Sequence, residues 1–267
     1  MKTGGNNKKN LWIALAAVSA VAVVVCLVLA FLSKNQGSGD SSSSDPYGAF
    51  SNTSSQTSTS KPDTSSSAVD VPVDFAKLQE RNKDIYAWLS FPQAEVEEPI
   101  LRREGEDEYY LRKDLDEKYS IAGSLFTESS YNTATFTDPV TMIYGHNMDD
   151  GSMFGKLETW AMQQTELGED ATFTIYQPER KLTYRVFAAV PYDNSHVMYY
   201  NDFADANIFN QFFVDITDMR DLSARVERSA KPTDGDKVVI LSTCLTGDSD
   251  RRFLVMGVLT EDSNQLS

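Results

Sequence analysis

An uncharged apolar run near the N-terminus limits what the rest of this 267-residue chain can fold into. Residues 11–32 read LWIALAAVSAVAVVVCLVLAFL, 22 residues without a charge. As a helix this run would be about 33 Å long, which matches a bilayer hydrocarbon core of about 30 Å. The apolar core of a cleaved signal peptide is shorter, about 7–15 residues. We therefore expect an uncleaved membrane helix.

The charges beside this run predict its orientation. Lys2, Lys8 and Lys9 precede it, and only Lys34 follows closely. Because positive residues favour the cytoplasmic side of a membrane, we expect residues 1–10 in the cytoplasm. The chain would then be a single-pass protein of the cell membrane, with everything after the helix extracellular.

The segment after the predicted membrane helix, residues 33–71, is rich in serine and threonine. Such a composition cannot bury a core, so we expect a disordered linker. A folded domain is expected over residues 72–262, with a short tail at 263–267. The formal net charge of the chain is −15. Without a basic stripe to neutralise phosphates, a nucleic-acid partner is excluded.

Short apolar or alternating runs dominate the expected domain and predict a mainly β fold. Many short strands at this spacing indicate a sheet closed into a barrel or packed as a sandwich. The runs are AGSLFTE (122–128), TMIYGH (141–146), ATFTIYQ (171–177), LTYRVFAAVPY (182–192), KVVILSTC (237–244) and FLVMGVLT (253–260).

Two segments have apolar residues at helical spacing. Residues 74–91 would form the first helix, with Asp74 as its N-cap. Its apolar stripe would consist of Phe75, Leu78, Ile85, Trp88 and Leu89. Residues 201–219 would form a second helix between two strands, before the cysteine-bearing run. Its apolar residues are Phe203, Ile208, Phe209, Phe212 and Phe213.

The expected exported domain has one cysteine, Cys244, because Cys26 falls in the predicted membrane helix. An unpaired cysteine there is either a buried apolar residue or a reactive thiol. Cys244 ends one strand-like run and Arg252 begins the next, so an antiparallel hairpin would make them neighbours. A neighbouring cation favours a thiolate and can stabilise an oxyanion. The alternative is a pair of solvated loop arginines, Arg251 and Arg252.

The chain has two histidines. His146 ends the run TMIYGH, and at a strand end it could be the acid/base partner of a thiol or a surface loop residue. His196 has less chemistry around it, and we expect it to be structural or exposed. These residues make no closed zinc set, and the DSD at 248–250 lacks the further oxygen ligands of a calcium loop. We therefore expect no metal or other cofactor.

These segments resemble the class B sortases. LSTC closing a strand, followed by an arginine that opens the next, looks like the sortase signature, and YGHNM...GSMFGKL looks like the class B histidine segment. The resemblance covers about residues 73–262, including YYL at 109–111. It implies a closed eight-stranded β-barrel with an N-terminal helix and a helix inserted before the cysteine-bearing strand.

The resemblance also implies a cysteine transpeptidase of the Gram-positive cell surface. Cys244 would attack the Thr carbonyl of a C-terminal sorting signal and form a thioacyl enzyme. His146 would protonate the leaving amine and deprotonate the incoming one. Arg252 would hold the substrate carbonyl or the oxyanion. Ser242 and Leu111 would lie near the bound peptide.

Two comparisons with the sortase pattern concern which arginine is catalytic and which residue follows the cysteine. In sortases the catalytic arginine lies five residues before a small residue, and Gly257 fits that position for Arg252. Strand parity also separates Arg252 from Arg251, because adjacent side chains point to opposite faces. Leu245 departs from many class B members, which often have a polar or acidic residue after the cysteine.

Class B members usually recognise Asn-Pro-x-Thr-x signals, often attach proteins to peptidoglycan, and in some cases build pili. The expected partners are therefore surface proteins with a sorting signal, and the amine of a peptidoglycan precursor or a pilin. Another kind of cysteine hydrolase is one alternative, but those enzymes place the cysteine first, whereas here His146 precedes Cys244. A non-catalytic surface-binding domain, with Cys244 merely packed, is another.

Overall fold

The computed structural model describes residues 69–264. The predicted cytoplasmic segment (1–10), the predicted membrane helix (11–32), almost all of the predicted linker (33–71) and most of the tail lie outside the described residues. Between residues 69 and 264, no helix combines the length and the apolar character needed to cross a membrane.

Nine strands of the described residues form one sheet. They are β1 (Ile85–Phe91), β2 (Val96–Leu101), β3 (Leu125–Phe126), β4 (Val140–Tyr144), β5 (Thr172–Gln177), β6 (Arg180–Tyr192), β7 (Arg225–Val226), β8 (Val238–Leu245) and β9 (Asp248–Asp262). Their order is β5-β1-β2-β3-β4-β8-β9-β6-β7, and β5 also pairs with β6. Eight strands therefore close into a ring, and β7 is a short addition to β6. The predicted closed eight-stranded barrel is confirmed.

The helices in the described part are few. They are α1 (Phe75–Arg81), α2 (Leu157–Gln163), α3 (Val197–Tyr200) and α4 (Ala206–Thr217), with 3₁₀ turns at Pro92–Ala94, Tyr109–Arg112 and Arg228–Ala230. The Asp205 carboxylate caps α4 by accepting the backbone N–H groups of Asn207 and Ile208. The predicted helix before the cysteine-bearing strand is thus confirmed as α4.

The helix predicted over residues 74–91 is wrong beyond Arg81. Asp74 caps α1 as predicted, since its carboxylate accepts a backbone N–H from the first turn. The helix ends at Asn82, whose backbone is extended, and the residues from Ile85 onward form β1 instead. Side chains of β1 join both the barrel interior and an outer apolar cluster with α1. Burial on both faces removes the alternation that marks a half-exposed strand.

The β8–β9 hairpin lies between two apolar clusters, one inside the barrel and one outside it. Inward side chains such as Leu241 and Val255 fill the barrel, whereas outward ones such as Ile240 pack in the cluster that contains α4. Because the side chains alternate, Ser242 and Cys244 share the outward face with Ile240.

Gly257 lies on the inward face of β9, where there is no room for a side chain. A Cβ atom there would stand 2.6 Å and 2.8 Å from two ring carbons of Phe173. Such contacts are far inside van der Waals range, so this position requires glycine. Packing inside the barrel therefore explains the small residue found five positions after Arg252.

Candidate active site

One cavity collects all five residues predicted for the site. Its volume is about 220 Å³, and it is lined in part by Leu111, His146, Ser242, Cys244 and Arg252. These residues come from the 109–112 turn, the segment just after β4, the end of β8, and β9. The barrel therefore brings together segments that are far apart in the sequence.

The β8–β9 hairpin places Arg252 beside Cys244. The two residues are cross-strand partners, and Arg252 Nη1 donates to Cys244 Sγ at 3.6 Å. The same nitrogen donates to the carbonyl oxygen of Ser249 at 2.9 Å, which fixes the guanidinium. Arg251 is exposed and does not line the cavity. The structure therefore places Arg252, and not Arg251, beside the cysteine.

His146 follows β4, which runs parallel to β8. The N–H of Gly145 donates to the carbonyl of Ser242 at 3.1 Å, so the pairing of the two strands continues to the residue before His146. His146 Nε2 lies 2.8 Å from the carbonyl oxygen of Leu111. A carbonyl only accepts, so Nε2 carries the proton and Nδ1 is left to exchange one. Within residues 69–264, no hydrogen bond joins His146 to Cys244.

Asn147 is a site residue that sequence reasoning missed. Its Nδ2 donates to the carbonyl oxygen of Cys244 at 2.9 Å and to Thr246 Oγ1 at 3.0 Å. Glu158 on α2 holds the same hairpin by accepting the Thr246 backbone N–H at 2.9 Å. Asn147 thus connects the histidine segment to the cysteine strand. Its sequence signal is its place directly after His146, inside the YGHNM segment that resembles the class B sortases.

A polar cluster of Glu128, Tyr144 and His196 lies beside the cavity, and Tyr144 and His196 line it. The Glu128 carboxylate accepts the Tyr144 hydroxyl at 2.9 Å and lies 2.9 Å from His196 Nε2. His196 Nδ1 accepts the Tyr199 backbone N–H at 3.1 Å, so the proton on Nε2 points at Glu128. Burial, reinforced by the charge of Glu128, raises the pKa of Tyr144. His196 is therefore structural and half-buried, and it lines the cavity.

The remaining predicted positions divide between cavity and core. Ser242 is buried in the cavity wall, and Leu111 is partly buried against the cluster around α1. Leu245 is turned away from the cavity and packs against the barrel interior. An apolar residue after Cys244 is thus explained by packing.

The titratable side chains of the described residues do not form a metal site. Between residues 69 and 264, no group of three or more His, Cys, Asp or Glu side chains could hold a metal ion. Cys244 is a free cysteine. The chemistry that this cavity offers is that of a thiol beside a guanidinium and an imidazole.

Known proteins resemble this chain in both sequence and fold. No protein-family model matches it. Sortase B of Listeria monocytogenes is 32% identical over 171 residues, which cover 63% of this chain and 66% of that protein. A class B sortase of Streptococcus pyogenes involved in pilus biogenesis is 28% identical, with a TM-score of 0.58 over 70% of this chain and 98% of the solved chain. The chain belongs to the class B sortases.

Class B sortases are cysteine transpeptidases. The crystal structure of sortase B from Clostridium perfringens matches this sortase with a TM-score of 0.60 at 18% identity. That match covers 70% of this chain and 100% of the solved chain, and it shows the fold. The matched region of this sortase spans about two thirds of the length of the Listeria relative.

Proposed function

We propose that this sortase is a membrane-anchored transpeptidase that cleaves a C-terminal sorting signal and transfers the protein to an amine. The observation that carries the proposal is the single cavity shared by Cys244, Arg252 and His146. Within it, the thiol and the guanidinium are 3.6 Å apart. Nucleophile, oxyanion donor and acid/base are the three roles that acyl transfer needs.

The first half-reaction forms a thioacyl enzyme. Cys244 gives its thiol proton to His146 Nδ1, and the resulting thiolate attacks the Thr carbonyl carbon of the signal, whose carbonyl oxygen becomes an oxyanion. The Arg252 guanidinium, fixed by Ser249, donates hydrogen bonds to that oxyanion. The intermediate collapses when the C–N bond breaks, and the leaving amine takes its proton from His146.

The second half-reaction reverses these roles. An incoming amine attacks the thioacyl carbon, and His146 takes the proton that the amine gives up. The C–S bond breaks, and Cys244 returns as a thiolate beside Arg252. The product is a new amide bond, and the enzyme is regenerated.

An amine acceptor is supported by Glu108. This exposed carboxylate lines the cavity, and no hydrogen bond or ion pair within residues 69–264 engages its side chain. Free amines are mostly cationic near neutral pH. A carboxylate with no partner at the cavity raises the local concentration of such a cation.

For the signal, we propose the Asn-Pro-x-Thr-x type that class B members usually recognise. The acceptor would be an amine of a peptidoglycan precursor. A pilin amine is the second candidate, because the similar Streptococcus pyogenes sortase is involved in pilus biogenesis.

For the location, we propose the cell membrane, with a cytoplasmic N-terminus and an extracellular catalytic domain. The support is in the sequence: 22 uncharged residues at 11–32, preceded by three lysines.

The test is turnover of a panel of fluorogenic sorting peptides by the full chain in detergent. Half of the assays would contain a peptidoglycan-like amine, and others a lysine peptide that imitates a pilin. We expect cleavage after Thr, new amide products with amines, and no turnover by Cys244→Ala. A chain that cleaves no peptide, and whose Cys244 resists a methanethiosulfonate reagent, would refute the proposal.

A further inference from the structure

The hydrogen bond that holds His146 depends on an unusually close approach of two backbone segments. His146 Nε2 lies 2.8 Å from the Leu111 carbonyl oxygen. Behind that carbonyl lies Gly123, with a φ of +61°. A Cβ atom at Gly123 would stand 2.6 Å from the Leu111 oxygen and 2.7 Å from the Tyr110 oxygen.

We infer that the Leu111 carbonyl orients the His146 ring. Gly123 is then a positioning residue, because any side chain at position 123 would displace this carbonyl. The inference rests on the proposed role of His146 as acid/base. Gly123 contacts neither the cavity nor the reacting atoms, so its effect would pass through Leu111.

The 109–112 turn cannot easily move aside. The Tyr110 hydroxyl donates to Asp84 at 2.6 Å, and the Tyr110 carbonyl accepts the Ser124 N–H at 3.1 Å. Arg103 pairs with the same Asp84 carboxylate at 2.7 Å and with Glu117 at 2.9 Å. An added methyl group would therefore press on anchored backbone atoms and not on a flexible side chain.

The chemical consequence concerns which ring nitrogen carries the proton. While the Leu111 carbonyl accepts from Nε2–H, Nδ1 is the nitrogen available to exchange a proton with the substrate amines. The same carbonyl stabilises the imidazolium that forms when His146 takes a proton from the incoming amine. A displaced carbonyl loosens both the ring orientation and the choice of tautomer.

The matched variants are Gly123→Ala and Gly105→Ala in the full chain. Gly105 also has a positive φ, +76°, but no atom lies within 4 Å of a Cβ atom placed there. Both changes introduce alanine into left-handed backbone, and only the first presses on the Leu111 carbonyl. We expect Gly123→Ala to lower kcat for peptide cleavage by about 10-fold to 100-fold, with KM within about twofold. Gly105→Ala should change neither by more than about twofold.

A second readout separates positioning from a general loss of structure. In ¹⁵N-histidine-labelled chain, which has only two histidines, His146 is assigned by its loss in His146→Asn. We expect the Nε2–H tautomer in the wild type and in Gly105→Ala, and a mixture in Gly123→Ala. Methanethiosulfonate labelling of Cys244 should proceed at equal rates in both variants.

Two results would overturn the inference. One is a Gly123→Ala enzyme whose kcat and His146 tautomer match those of Gly105→Ala. The other is an Nδ1–H tautomer in the wild type, which decides the matter even when Gly123→Ala does not fold. If the wild type cleaves no peptide, the proposed function fails, while the tautomer still tests whether the carbonyl orients the ring.

Discussion

Cys244 and Arg252 face each other across the β8–β9 ladder, with Arg252 Nη1 3.6 Å from Cys244 Sγ. The pairing puts a fixed cation beside the sulfur, at the end of a strand buried on both faces. Because adjacent side chains alternate, a slip of one residue would exchange Arg252 for Arg251. The required packing of Gly257 against Phe173 holds the register.

Arg252→Ala should reduce kcat/KM for peptide cleavage by about 100-fold to 1,000-fold, because it removes the donor aimed at the developing oxyanion. Arg251→Ala is the matched control, since its exposed side chain does not line the cavity. Its kcat/KM should stay within about threefold of the wild type. Steady-state cleavage of a fluorogenic sorting peptide measures both, and equal losses would show that the assignment of Arg252 is mistaken.

Asn147→Ala should lower kcat by about tenfold, because the histidine segment would no longer be tied to the Cys244 carbonyl. The lost hydrogen bond should also reduce the free energy of unfolding by about 1 kcal/mol. Thr246→Val removes only the second acceptor of Asn147, so its kcat should remain within about twofold. Turnover and urea unfolding are the measurements. A Thr246→Val enzyme as impaired as Asn147→Ala would contradict a specific role for the Cys244 carbonyl bond.

Glu108→Gln should raise KM for a cationic acceptor amine by about twofold to fivefold, the size expected of an exposed charge pair. Glu106→Gln makes the same change in charge two residues away, on a side chain that does not line the cavity. Transfer to triglycine, which is cationic at neutral pH, is compared with transfer to hydroxylamine, which is largely neutral. Only the triglycine reaction should respond, and only to Glu108→Gln. A similar change with hydroxylamine would argue against charge attraction.

Acid should weaken this fold partly through Asp262. The Arg180 guanidinium donates to both carboxylate oxygens, at 3.1 Å and 2.8 Å, and these hydrogen bonds hold the pKa of Asp262 below its usual range. A carboxyl group whose pKa is lower in the folded than in the unfolded state stabilises the fold at pH values above the unfolded pKa of about 3.9. That contribution is lost as the pH falls toward the lower folded value.

Asp262→Asn should therefore lose about 3 kcal/mol of unfolding free energy at pH 7, because the largely buried Arg180 is left without its charge partner. Its loss should be smaller at pH 3 than at pH 7, because the wild type itself loses part of this contribution in acid. Glu261→Gln, an exposed neighbour, is the control. Urea unfolding at both pH values measures the effect, and parallel losses for the Asp262 variant at both would rule out the linkage.

The strands with long apolar runs were accessible from the sequence. The runs predicted as strands at 182–192, 237–244 and 253–260 correspond to β6, β8 and β9. β2 was missed because Glu97, Glu98 and a proline interrupt its apolar residues, and β7 because it has only two residues. β1 was taken for a helix because burial on both faces hides the strand period.

The sequence by itself indicated that Cys244 and Arg252 would be neighbours, because they are eight positions apart and flank one predicted hairpin turn. The register shift between Cys244 and Leu245, which makes them direct cross-strand partners, was decided by the structure. It also indicated His146, by its place at a strand end and by the class B resemblance. Only the tertiary structure decided what orients these groups: the Leu111 carbonyl on His146, Asn147 on the Cys244 backbone, and Glu128 beneath Tyr144 and His196. These contacts join residues that are 16 to 97 positions apart in the chain. Local periodicity predicts on which face of a helix or strand a side chain lies, whereas closure of the barrel decides which distant segments come into contact.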